Sequence, residues 1–85
     1  MSPLIERIEG IRIEMYSREH YPAHIHVKYG GDEVIIDIEN MEVLVGEIPI
    51  RKMKVVERWL SDTTIQKDLI ELFYFLNKHL RHEKK

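Results

Sequence analysis

The chain has 85 residues, no cysteine and a formal net charge of −2. That length holds one domain, and the missing thiols exclude disulfides and thiolate metal sites. The slightly acidic balance disfavours binding nucleic acid through bulk positive charge, which rests on Lys and Arg neutralising phosphates.

The N-terminus, Met1 to Arg7, carries charges every few residues and no apolar stretch of signal-peptide length. No apolar run approaches the roughly 20 residues of a membrane span. The expected location is therefore the cytoplasm, with no membrane contact. Gly10 punctuates the start of the first alternating segment, in which Ile11, Ile13 and Met15 oppose Arg12 and Glu14, the pattern of a strand with one buried face. Tyr16 to Pro22 read as a polar loop, with Pro22 biasing Tyr21 towards an extended backbone. From Ala23 to Tyr29 the alternation returns, placing Ala23, Ile25, Val27 and Tyr29 on one side and His24, His26 and Lys28 on the other.

Gly30-Gly31 marks a hairpin turn. The returning strand, Glu33 to Glu39, puts Val34, Ile36 and Ile38 on one face and Ile35 and Asp37 on the other. A two-residue loop sets Val27 against Val34, Ile25 against Ile36, Lys28 against Glu33 and His24 against Asp37. A three-residue loop slips every side chain to the wrong face. A four-residue loop keeps the faces but pairs His26 with Asp37 and His24 with Glu39. Either permitted register sets a carboxylate opposite a histidine, at the ~5 Å Cβ separation of cross-strand neighbours.

Asn40-Met41 is a second turn, and Val43 to Val45 a short fourth strand ended by Gly46. The period then lengthens. Pro49 suits the first turn of a helix, followed by Ile50, Met53, Val56 and Trp59/Leu60 at helical spacing. Ser61 or Asp62 is placed to cap a second helix, whose stripe is Ile65, Leu69, Leu72, Phe73, Leu76 and Leu80. Lys78, Arg81, Lys84 and Lys85, with His79 and His82, make its end basic, as suits a helix dipole. Strands followed by helices predict a single α+β domain over 1–85: an antiparallel four-stranded meander within 1–48 and two helices within 49–82 packed on one face.

Two imidazoles two residues apart on a strand, as in His24 and His26, recur at zinc and other transition-metal sites. His20 offers a third ligand across the Pro22 turn, and Asp37 or Glu39 a ligand or a partner that orients one. The tentative metal set is thus His20, His24 and His26 around a divalent ion such as zinc. A metal-free His24–Asp37 pair is the candidate for acid–base catalysis. The plainer reading makes these histidines ordinary strand and loop residues. Ile35 and Leu44 lie on the same face as His26, so the three together are a candidate partner surface; Leu4, Ile5 and Ile8 folded across that face would bury it instead. Trp59 and Phe73-Tyr74-Phe75 read as helix core and its margins rather than a base-stacking platform.

The segment Met15-Tyr16 … Glu19-His20-Tyr21-Pro22-Ala23-His24-Ile25-His26-Val27-Lys28-Tyr29-Gly30 resembles the signature of a small prokaryotic family, domain of unknown function 4160. The resemblance continues through Val34 to Ile38, Glu42-Val43-Leu44-Val45-Gly46-Glu47-Ile48-Pro49 and Trp59, and covers roughly residues 8 to 61. His20, Pro22, His24, His26 and Asp37 match the family positions. Ala23 stands where the family has a second proline, and Met41 where its turn has glycine. The family carries no assigned reaction. Its members are often encoded beside another small protein, an arrangement similar to toxin–antitoxin pairs, which implies a small protein partner. The expectation is a small regulatory or protein-interaction module, one half of such a pair, and a homo-oligomer is compatible with it. The alternative is a metal- or His-dependent hydrolase of the ribonuclease-toxin kind, against which the near-neutral charge counts modestly.

Overall fold

The structure, a computed structural model, describes residues 4–80. The order of elements is β1 (Leu4–Ile8), β2 (Ile11–Glu14), β3 (His24–Tyr29), β4 (Asp32–Asp37), β5 (Glu42–Glu47), α1 (Ile50–Leu60) and α2 (Thr63–Leu76). All five strands join one antiparallel sheet in chain order. The α+β class is as the sequence predicts, but the sheet has five strands rather than four.

The extra strand is β1. Its apolar residues, Leu4, Ile5 and Ile8, do not alternate, because the register against β2 shifts between Leu4 and Glu6. An added residue at that irregularity breaks the period of two that sequence reading depends on. β1 extends the sheet at its edge beside β2 instead of folding across the polar face.

The β3–β4 hairpin adopts the two-residue register: His24 opposes Asp37, Ile25 opposes Ile36, Val27 opposes Val34 and Lys28 opposes Glu33. Gly30 has φ 59°, the left-handed value that a tight hairpin turn demands of its first central residue. β4 ends at Asp37, two residues before the expected limit, because the Asp37 carboxylate accepts from the backbone N–H groups of Glu39 and Asn40 (2.8 and 3.0 Å) and caps the turn. Met41 takes the left-handed conformation in that turn, φ 58°.

One face of the sheet supplies Ile11, Ile13, Ala23, Ile25, Val27, Val34, Ile36 and Ile38 to the core, which Val56 and Leu60 of α1 and Leu69 and Phe73 of α2 close. Each such side chain contributes roughly 1.5–3 kcal/mol by leaving water. Pro49 precedes α1, and Asp62 caps α2 by accepting from Thr64 and Ile65 N–H. Gln66 donates to the Ile38 carbonyl (2.8 Å), tying α2 to the end of β4. Among the described residues, no helix is long and apolar enough to cross a membrane. Arg81, His82, Lys84 and Lys85 of the basic end lie outside the described residues.

Candidate functional site

Alternation in β3 sends Ile25 and Val27 into the core and leaves His26 on the opposite face, between Glu14 of β2 and Ile35 of β4. His24 and His26 come together, with ring centroids 5.3 Å apart. They do not form an open pair. His24 is 8% exposed and sits against Phe73 of α2 (5.3 Å), and the Tyr16 ring meets His26 edge-on at 4.6 Å. The expected exposed site is therefore largely closed, because the loop of residues 16–22 folds back over it.

That loop is fastened from the far end of the chain. Asn77, fully buried at the C-terminus of α2, accepts from the Glu19 N–H (2.6 Å) and donates to the carbonyls of Tyr16 (3.1 Å) and Phe73 (2.9 Å). The Glu19 carbonyl in turn lies 2.9 Å from Nε2 of His79. Both backbone polar groups of Glu19 are thus held, and its carboxylate is turned onto the histidines. Glu19 Oε1 lies 3.2 Å from His24 Nε2, and Oε2 3.6 Å from His26 Nε2.

The far side of each ring is also fixed. His24 Nδ1 bonds the Pro22 carbonyl (2.8 Å), and His26 Nδ1 bonds Glu33 Oε2 (2.8 Å), its diagonal neighbour on β4. Both of those partners can only accept, so Nδ1 carries the proton in each ring. Each Nε2 is left facing Glu19. Glu19, His24 and His26 each offer a ligand atom, all within 4.8 Å of one another.

His20 is exposed and stands outside this group, so the histidine trio of the sequence reading becomes two histidines and a glutamate. Asp37 opposes His24 along the ladder, yet its carboxylate serves the turn, where Oδ2 also accepts from Asn40 Nδ2 (3.0 Å). The hydrogen bonds of His24 go to Pro22 and Glu19 instead. Glu39 begins that turn and is exposed. The roles of Glu19 and Asn77 escaped the sequence reading, which gave Glu33 to Lys28 rather than to His26. Only Glu19 had a signal, its place as the acidic residue opening the family-like segment.

Next to His26 on the same face, Glu14 is almost fully buried and receives Arg12 (2.7 Å), Lys28 (3.1 Å) and the Tyr16 hydroxyl. The Tyr16 hydrogen bond, aided by Lys28 and Arg12, holds the Glu14 carboxyl below its ordinary value against the opposing effect of burial. The same bond, by favouring the protonated phenol, raises Tyr16.

The proposed partner patch divides. Ile35 is half-buried, His26 belongs to the closed cluster, and Leu44 is 44% exposed on β5. β5 is the other notable region. It is paired only to β4, all six of its residues are exposed, and Val43 and Val45 are 51% and 58% exposed. Beside it Ile50 of α1 is 76% exposed, above a groove of about 320 Å³ that Val34, Val43, Gly46, Ile48 and Met53 help to line.

A family model for a domain of unknown function, DUF4160, matches residues 10–71, well over half of the chain. The chain belongs to the DUF4160 family. The DUF4160 match spans β2 to most of α2 and contains Glu19, His24, His26 and Glu33, while β1 and Asn77 lie outside it. No curated protein and no solved structure matches the chain.

Proposed function

We propose that this DUF4160 chain is a small protein-interaction module, one half of a toxin–antitoxin-like pair, and that β5 is where its partner docks. The observation that carries this reading is the apolar edge strand. An edge presents unpaired backbone N–H and C=O groups, and soluble proteins ordinarily protect it with charge, proline or cover. Here Val43-Leu44-Val45 stand exposed in the middle of the edge, next to Ile50 and the groove. An extended segment added antiparallel or parallel to β5 would satisfy those backbone groups and place alternate side chains against Val43 and Ile50.

The charges select the occupant. Glu42 and Glu47 close the two ends of β5, while at the groove Glu57 is balanced by Lys54, so the strand ends carry the selection. A second copy paired antiparallel about the strand centre would set Glu42 against Glu47, and like charges directly opposite are destabilising. A partner strand of β-branched residues flanked by Lys or Arg fits better.

Co-expression with the protein encoded beside it tests the reading. The pair is expected to co-purify, and Val43→Lys with Val45→Lys is expected to break it without unfolding the chain, since both positions are exposed. Failure to co-purify, or co-purification indifferent to the two lysines, contradicts it. The hydrolase reading draws on the three converging ligand atoms alone; the closure of that site around His24 argues for a part in holding the loop rather than in turning over a large substrate.

A further inference from the structure

We propose that Glu19, His24 and His26 form a site for one divalent first-row transition metal, zinc foremost, which locks the loop of residues 16–22 onto β3. This site lies at the histidine end of β3 and stands independently of the β5 docking surface.

The hydrogen-bonding roles at the two rings are mismatched. With Nδ1 donating to the Pro22 carbonyl and the Glu33 carboxylate, a neutral ring at either position carries its lone pair at Nε2. Both lone pairs face the Glu19 carboxylate, which is itself an acceptor. While both rings are neutral, three acceptors meet there without a donor among them. His26 Nε2 is the sharpest case, a buried nitrogen with no hydrogen-bond partner. A proton on Nε2 of His24 would bond Glu19 Oε1 at 3.2 Å, whereas one on Nε2 of His26 would meet Oε2 only as a long ion pair at 3.6 Å. A cation placed among the three satisfies all of them together.

The surroundings are those of a ligand set. Metal-bound histidines ordinarily donate their second nitrogen to a carbonyl or a carboxylate, which fixes the tautomer and aims the lone pair. His24 has the carbonyl and His26 the carboxylate. Donors about 2.0–2.2 Å from a tetrahedral zinc stand about 3.3 Å from one another. Glu19 Oε1 lies 3.2 Å from His24 Nε2 and Oε2 3.6 Å from His26 Nε2, and one ligand atom from each residue falls within 4.8 Å of the others, so the set would draw in slightly around an ion. Two imidazoles and a carboxylate, with no thiolate, select transition metals of zinc or ferrous type over calcium or magnesium, which prefer oxygen alone. Three protein ligands leave one position for water. Asn77 and His79 act as positioning residues, because they hold the backbone of Glu19 and touch no ligand atom.

Calorimetric titration of the chelator-treated chain with zinc is the test, with cobalt as a visible-absorbing probe of coordination. One ion per chain is expected. Glu19→Gln and His26→Ala are each expected to weaken binding by at least about ten- to a hundredfold, while His20→Ala leaves it unchanged. Glu19→Gln keeps the shape of the side chain, so its effect is on ligation rather than folding. At a zinc concentration a hundred times the Kd, the Tm of the unmodified chain is expected to rise by about 10–20 °C. Long-range proton–nitrogen spectra of the histidine rings are expected to show the Nε2 signals of His24 and His26 moving on zinc addition and that of His20 still. No saturable binding, binding lost on His20→Ala, or binding unaffected by Glu19→Gln would each overturn the proposal.

Discussion

The two ends of the β3–β5 region differ in how their strands are finished. At the histidine end of β3, each ring is held on its Nδ1 side, a loop covers both rings, and a residue from the end of α2 fixes that loop. At β5, sequence of the same apolar character, Val43-Leu44-Val45, lies open along a sheet edge. Composition is not what separates them. Val34-Ile35-Ile36 and Val43-Leu44-Val45 read alike, but β4 has neighbours on both sides and β5 on one. An apolar strand acquires its meaning from what lies beside it. On the proposed account, the closed end holds something small and the open edge receives something extended.

The largest expected effect breaks the open end. Gly46 has φ 86°, and a Cβ there would stand 2.2 Å from the Glu33 carbonyl oxygen. Gly46→Ala is therefore expected to cost about 3 kcal/mol or more in urea unfolding. If β5 detaches rather than the whole chain unfolding, its amides alone lose protection from hydrogen exchange. A cost under 1 kcal/mol would mean that β5 is less closely joined to β4 than the structure has it.

Asn77→Ala breaks the closed end. It strips the partners from the Glu19 N–H and the Tyr16 carbonyl, and is expected to cost about 2–3 kcal/mol. The loss should be larger than that of His20→Ala, which removes an exposed side chain.

Glu14 sharpens the same comparison through pH. Its depressed folded carboxyl binds a proton less readily than the unfolded chain does. Its stabilisation is then complete above the ordinary value of 4.5 and is lost as pH falls through the lower folded value. Glu14→Gln is expected to flatten the acid limb of the stability profile, measured by denaturant unfolding between pH 6 and pH 3. An unchanged slope would show that its bonds to Tyr16 and Lys28 contribute nothing there.

The smallest effect is a gain. Met41 pays the strain of the left-handed region at a turn where the family-like pattern has glycine. Met41→Gly is expected to stabilise the chain by about 0.5–1 kcal/mol, the relief of strain exceeding the added freedom of the unfolded backbone.

How much of this was legible depended on periodicity. The facing of the hairpin followed from Val27, Ile25, Val34 and Ile36, because only a two- or a four-residue loop keeps the apolar sides together; the structure takes the two-residue loop, which sets Lys28 opposite Glu33. The helices followed from Val56, Leu60, Leu69 and Phe73. β1 did not, since its irregularity between Leu4 and Glu6 erases alternation. Nor did the extent of β5, where Gly46 reads as a terminator but lies inside the strand opposite Val34. The pairing of His24 with His26 was visible in the spacing of two. Their acidic companion was not, because Glu19 is placed by an aperiodic loop and by Asn77, 58 positions along the chain. Register predicted Asp37 for that role; turn capping claimed its carboxylate first.

Amide hydrogen exchange along β5, alone and in the presence of the co-expressed neighbour, bears most directly on the proposed function. Without the partner, the outward amides of 42–47 are expected to exchange rapidly while those of β3 remain protected; with it, 42–47 become protected and the residues of β1 do not change. Protection that arises at β1 or around the histidines, with β5 still open, would contradict the account.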